Sequence, residues 1–180
     1  NRVLTKMRWQ PTVRFCPPYF DDDIYIKALC SHIEKKIKKS KQDKILASFH
    51  GIPKKYFLKG DPYHCHCAKT VRLLNERLKK TKIKIELSFQ SRFGPQEWLR
   101  PYMNEKFKEL IDNGNKKIMM IAPGFSVDCL ETLEEIKMEG QEEFKEMGGG
   151  KFEYINCLND SEESIAMLQQ IVKRELSGWI

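Results

Sequence analysis

Four short apolar runs punctuate this chain, Ile45 to His50, Lys84 to Phe89, Lys117 to Ala122 and Phe152 to Asn156, and stretches with apolar residues at helical spacing separate them. Runs this short suit strands buried on both faces of a sheet. The intervening stretches suit helices from about Ile24 to Lys39, Asp61 to Lys79, Asn104 to Asn113, Asp128 to Met147 and Ser161 to Leu176. Alternating strand and helix implies crossover connections, which lay helices on both faces of a parallel sheet. The expected fold is α/β: a three-layer Rossmann-like domain with a mainly parallel four-stranded sheet flanked by helices.

Local signals fix the ends of these elements. Asp21 to Asp23 place carboxylates at a helix N-terminus, and Asp61 before Pro62 reads as an N-cap with proline at the first helical position. Asp160 is expected to cap the last helix, with Glu163 as its capping-box acid. Thr12 to Cys16 is a further extended candidate, ended by Pro17 and Pro18, and Lys54 to Phe57 read as a polar, aromatic loop.

In a sheet of this kind the carboxyl ends of the strands open onto the crevice where ligands bind. Three loops should meet there: His50 to Pro53, Phe89 to Gly94, and Pro123 to Phe125 leading into Asp128 to Glu131. They offer an imidazole, a carboxylate, a guanidinium and several aromatic rings. None is a glycine-rich phosphate cradle, which argues against a nucleotide. The mixture suits a flat, apolar, partly anionic ligand.

Glu131, Glu135 and Glu139 recur every four residues, so at about 100° per residue they line one helix face. Carboxylates so stacked either raise one another's pKa and pass protons, or share a cation. Equally, Asp128 with Glu131 makes a capping box and the acids a solvated face. His64-Cys65-His66-Cys67 fall in the first turns of a helix, where four successive side chains diverge; structural zinc favours wider spacing and a second ligand pair. A cysteine-rich helix start is the expectation there.

The net charge of +7 on 180 residues is carried largely by clusters such as Lys35 to Lys41 and Lys79 to Lys84. These suit a solvated face or attraction to an anionic lipid surface, but they hold none of the aromatics that stack on bases, so no nucleic-acid partner is expected. No window approaches the roughly 18 apolar residues of a membrane span. The six scattered cysteines suit reduced thiols in a cytosol-like compartment. Opening on Asn1 without a signal-like leader, the sequence is expected to be a fragment.

Ser48 to Pro53, Gly60-Asp61-Pro62-Tyr63, Phe89 to Pro95 with Trp98, and Phe125 to Leu133 together resemble the ferrochelatase family, whose members insert ferrous iron into a porphyrin. The resemblance covers almost the whole chain, and its phrasing is similar to the bacterial branch. It implies a chelatase-like fold and a chain that is the C-terminal half of a two-lobed enzyme: residues 1–160 a second α/β domain with an interdomain segment, and 161–180 a helix that packs on the missing N-terminal half. The expected reaction is insertion of Fe2+ into protoporphyrin IX to form protohaem, a lyase step of haem biosynthesis. The alternatives are a non-catalytic half that binds porphyrin, haem or metal, and a coproporphyrin-specific chelatase.

Carried over by position, the resemblance implies His50 and Glu131 as catalytic residues, and His50, Glu131, Glu135 and Glu139 as metal-handling ones. It implies Gln90, Ser91, Arg92, Trp98 and Phe125 at the porphyrin, with Arg92 meeting a propionate. Fe2+ is then a substrate, no organic cofactor is implied, and an iron–sulfur cluster is not expected because no cysteine follows Cys157. The implied partners are the porphyrin, the missing half and an anionic membrane touched peripherally, with a cytoplasmic location at the inner membrane. Whether His50 takes protons or metal is open at this point.

Overall fold

The computed structural model describes residues 2–179. Four strands, β1 (Lys44–His50), β2 (Ile85–Gln90), β3 (Lys117–Ile121) and β4 (Lys151–Tyr154), form one sheet in the order β2-β1-β3-β4. All three pairings are parallel, with Ile45 opposite Ile85, Lys44 opposite Ile118 and Lys117 opposite Lys151. The expected α/β architecture is therefore present.

The pleat sorts the strand side chains into two cores. Ile45, Ala47 and Phe49 face α1 (Asp23–Ile37) and α3 (Tyr63–Arg77), together with Met119, Ile121 and the last helix. Leu46, Ile118 and Met120 face the other way, onto Phe107, Leu110, Ile136 and Phe144. Each fully buried aliphatic or aromatic side chain contributes roughly 1.5–3 kcal/mol, so two such layers hold the sheet between helices. Short α2 (Lys54–Leu58) follows Pro53, where the sequence reads as a loop; α4 (Met103–Asp112) precedes β3. Thr12 to Cys16 joins no sheet and stays exposed.

The stretch expected as one helix from Asp128 to Met147 is three pieces: α5 (Leu130–Thr132), a π-helical segment (Leu133–Glu139) and α6 (Gly140–Glu146). In the π segment the i→i+5 bonds widen the turn beyond the usual 3.6 residues or so, bringing a four-residue spacing close to one full turn. The start is also rearranged. Cys129 and Thr132 form the capping pair, Cys129 N donating to Thr132 Oγ1 at 2.9 Å, in place of Asp128 and Glu131.

The last helix, α7 (Glu162–Glu175), is capped by Ser161, whose side chain accepts from Ser164 N at 3.2 Å; Asp160 lies one residue outside it. The extended backbone of Ser161 presents its short hydroxyl to the first turn, which displaces the expected Asp160–Glu163 box. Met167 and Ile171 are buried in the core that holds α1, so this helix packs on its own domain. Its opposite face leaves Ile165 and Val172 more than half exposed.

Candidate functional site

The strand order creates the crevice. From β1 the chain moves outward to β2, and from β3 it moves outward to β4, so the loops after β1 and β3 diverge at their carboxyl ends. α3 covers one face of the sheet and α6 the other, leaving His50 and the π segment on either side of the gap.

His50 closes β1 opposite Gln90 of β2. Its Nδ1 lies 2.7 Å from Gly51 O; an Nδ1–H donated there leaves Nε2 with its lone pair outward. Tyr63 OH donates to His50 O at 2.9 Å and Gly51 N to Gln90 O at 2.8 Å, fixing the turn. Gly51 is required by space. A Cβ there would meet Gln90 O at 2.9 Å and Trp98 Cε3 at 3.2 Å.

Gln90 and Ser91 reach across the gap and grip the π segment. Gln90 Nε2 donates to Glu131 O at 2.7 Å and to Glu135 Oε2 at 2.9 Å. Ser91 N donates to Glu135 Oε1 at 2.6 Å, and Ser91 Oγ donates to Oε2 of the same carboxylate. Ser91 reaches this position with a φ of 62°, a left-handed conformation uncommon for a residue bearing a Cβ. The backbone carbonyl of Glu131 and the carboxylate of Glu135 are thus satisfied by the end of β2.

Asp128 anchors the start of the same segment. Its Oδ1 accepts from Tyr154 OH at 2.8 Å, Thr132 Oγ1 at 3.1 Å and Cys157 N at 3.2 Å, and its Oδ2 from Asn159 Nδ2 at 2.7 Å. Burial works to raise its pKa, but the bonds from Asn159, Tyr154 and Cys157 outweigh it and hold the carboxyl below its ordinary value. Glu131, its carboxylate open to solvent, is also held low, first by a hydrogen bond from the Cys129 thiol, with its own backbone N–H and the nearby His50 adding to it.

Two clefts share Ser91, Arg92, Glu135 and Glu139. The first, of about 250 Å³, continues past Tyr102 and Asn104 to Glu143; the second, of about 350 Å³, is walled by Phe93, Leu130, Glu131 and Glu134. His50 stands beside these clefts, on the adjoining strand end. Among the described residues no three of His, Cys, Asp and Glu come together as a preformed metal site, so the expected metal-handling set of His50, Glu131, Glu135 and Glu139 is a series of separate groups.

The remaining expected residues divide. Arg92 is exposed and stacks its guanidinium on the Tyr102 ring, 4.1 Å from the centroid. Trp98 is buried, donating Nε1–H to Phe93 O at 3.0 Å, and backs Gly51; Phe93, two-thirds exposed, supplies the ring at the cleft. Phe125, expected at the porphyrin, lines instead a small separate cavity with Ile121 and Ile155, because the Pro123–Gly124 turn sends it against the sheet. Glu143 and Leu130 were not singled out from sequence. Glu143 continues the four-residue spacing and so was findable; Leu130, in the apolar stripe of a supposed α-helix, was not. His64 packs on Phe89, His66 stacks on Phe20, Cys65 is exposed and Cys67 is buried, its thiol pushed up to about 12 by desolvation, so the four side chains diverge.

The family model described as ferrochelatase matches residues 1–176. The ferrochelatase of Allorhizobium ampelinum is 52% identical over 99% of this chain and 53% of its own length. That of Francisella tularensis subsp. novicida is 50% identical over 97% of this chain and 54% of its own. The chain thus spans about half the length of the curated relatives it matches. The solved structure titled "SirB from Bacillus subtilis with Fe3+" shares the fold at a TM-score of 0.57 and 16% identity, covering 86% of this chain and 54% of that one.

Proposed function

This chain belongs to the ferrochelatase family, and from that premise we propose that it carries one wall of a site where Fe2+ enters protoporphyrin IX, acting as the second half of a two-lobed enzyme. The relatives' doubled length supports the partner half, and the Fe3+ named with the SirB structure supports an iron substrate. The reading includes a cytoplasmic location with peripheral contact to an anionic membrane, which the lysine clusters suit.

The observation that carries the reading is that His50, its Nδ1 turned to Gly51 O, lies near enough to Glu131 to help hold that solvent-exposed carboxylate in its charged form. Metal insertion releases two pyrrole protons while the cation sheds water, so it needs a base near neutrality and oxygen or nitrogen ligands of moderate strength. Nε2 of His50 accepts a proton from the ring nitrogens or holds the incoming cation. Glu131 takes the complementary part, and Glu139 and Glu143 continue the row along the first cleft. Glu135, already bound by three donors, holds the row in place. Phe93 and Leu130 offer apolar surface to the macrocycle, and Arg92 an exposed guanidinium to a propionate.

The test is a porphyrin titration of this chain, with and without a first half from a relative, followed by ferrous iron. Conversion of the metal-free spectrum to that of the metalloporphyrin supports the enzyme; binding without conversion in both arms supports a non-catalytic porphyrin-binding half. Parallel titrations with protoporphyrin and coproporphyrin identify the preferred substrate.

A further inference from the structure

The first cleft holds a cation as well as its carboxylates. Arg92, from the loop after β2, shares it with Tyr102 and Asn104 at the start of α4 and with Glu143 of α6. Tyr102 is the platform: its ring is buried, its hydroxyl donates to Trp98 O at 3.4 Å, and Arg92 Cζ lies 4.1 Å from the ring centroid. Arg100 uses the same ring at 4.4 Å, but its charge is met by Glu97 and Glu105. A guanidinium stacked by its face keeps its N–H edge for carboxylates.

Glu143 supplies the opposing charge. It is half-buried, and burial raises its pKa, while a hydrogen bond from Asn104 and the positive charge of Arg92 pull the other way, toward the carboxylate. Asn104 Oδ1 already accepts from Glu105 N at 2.9 Å, which leaves its amide N–H groups for Glu143. The next residue, Phe144, is fully buried against Phe107 of α4 with ring centroids 5.3 Å apart, so packing fixes the backbone that carries Glu143. Glu135, in the same cleft, is engaged by the donors of Gln90 and Ser91.

We propose that Glu143 is the resting counter-ion of Arg92, and that a carboxylate of the ring ligand displaces it on binding. The assignment rests on the porphyrin reading above and deepens it by naming a residue that sets the affinity for the ring's anionic substituents. Arg92 lines both clefts, so a ligand in the second reaches it while Glu143 draws on it from the first. Tyr102 keeps the guanidinium stacked in both states, so the exchange needs no swing of the arm. An internal counter-ion weakens the hold on every small anion, since each must displace it. A macrocycle also gains from Phe93 and Leu130, so the competition favours a flat apolar carboxylate over free acids and phosphates.

The test is a fluorescence titration of metal-free protoporphyrin into this chain paired with a first half from a relative, at low and high salt. Glu143→Gln should bind the porphyrin about fourfold more tightly at low salt, the upper range for an exposed charge pair, and the gain should fade as salt rises. In an Arg92→Gln background the same change should move affinity by under about twofold, because the partner it competes for is gone. Glu143→Asp keeps the charge and should bind as the native form does. Glu142→Gln removes one charge from an exposed position on the same helix and should also bind as the native form does. Circular dichroism of each variant controls for folding. Weaker binding by Glu143→Gln would show that Glu143 supports the ligand, and an equal gain in the Arg92→Gln background or in Glu142→Gln would make it one general charge among others; each result overturns the assignment. So would an equal gain in Glu143→Asp, which would mark an effect of shape. Native binding with no change in Glu143→Gln removes the counter-ion alone, whereas no binding by the native form removes the porphyrin reading and this assignment with it.

Discussion

Ser91 and Glu135 are joined twice: the Ser91 backbone N–H donates to one carboxylate oxygen at 2.6 Å and its hydroxyl to the other. A left-handed Ser91 makes this possible, and the bond pair clamps the π segment to the end of β2. Hydrogen bonds to a charged group contribute about 1.5–3 kcal/mol. Glu135→Gln should therefore destabilise the fold by about 2 kcal/mol, and Ser91→Ala by about 1 kcal/mol, in urea unfolding. Because the residues share bonds, the double variant should lose less than the sum. Strict additivity would mean that the clamp does not act as a unit.

Asp128 makes stability fall in acid. Its folded pKa is depressed by its hydrogen bonds while the unfolded carboxyl titrates near 3.9 or so. The unfolded state therefore binds the proton first. Its contribution is full above about pH 4 and drains as pH falls through the folded value. Asp128→Asn should flatten that acid limb of the stability curve and leave stability at neutral pH lower. An unchanged slope below pH 4 or so would contradict the assignment.

Much of this was legible in the sequence, and the failures share a cause. β1 and its partners were readable because continuous apolar runs have few other fates, and His50 at the end of β1 followed from its place before Gly51-Ile52-Pro53. The π segment was hidden: Leu130, Leu133 and Ile136 fit an α-helical stripe, and the widened turn depends on donors from Gln90 and Ser91 on another strand. Glu131, Glu135 and Glu139 were grouped correctly, but their different lives, one solvated and one bound by three donors, come from tertiary contacts that spacing does not encode. Phe125 and Trp98 show the same limit, since an aromatic near a site reads alike whether it faces the cleft or the core.

Gly51 sets the position of His50. Gly51→Ala places a methyl group 2.9 Å from Gln90 O, inside van der Waals contact, and 3.2 Å from Trp98 Cε3. The turn must shift, and we expect a loss of about 1–3 kcal/mol in thermal or urea unfolding. Trp98→Phe in the same background should recover part of it. No recovery would show that the clash is with the backbone carbonyl alone.

Arg92 tests the porphyrin contact. Its guanidinium lies over Tyr102, which also carries Arg100 at 4.4 Å, so it is stacked as well as charged. Arg92→Lys keeps the charge and loses the stacking geometry; Arg92→Gln loses both. Porphyrin affinity should fall in that order, with only the charge-bearing forms showing strong salt dependence. Equal affinity in all three would remove Arg92 from propionate binding.

The most direct measurement is iron insertion by a two-lobed enzyme carrying this chain as its second half, followed by absorbance for the native form, His50→Ala and Glu131→Gln. We predict that both variants still bind porphyrin and retain the fold by circular dichroism, while insertion falls by at least about a hundredfold, the range expected for losing a general base. Native-like insertion by both variants would contradict the proposed pairing of imidazole and carboxylate across the crevice.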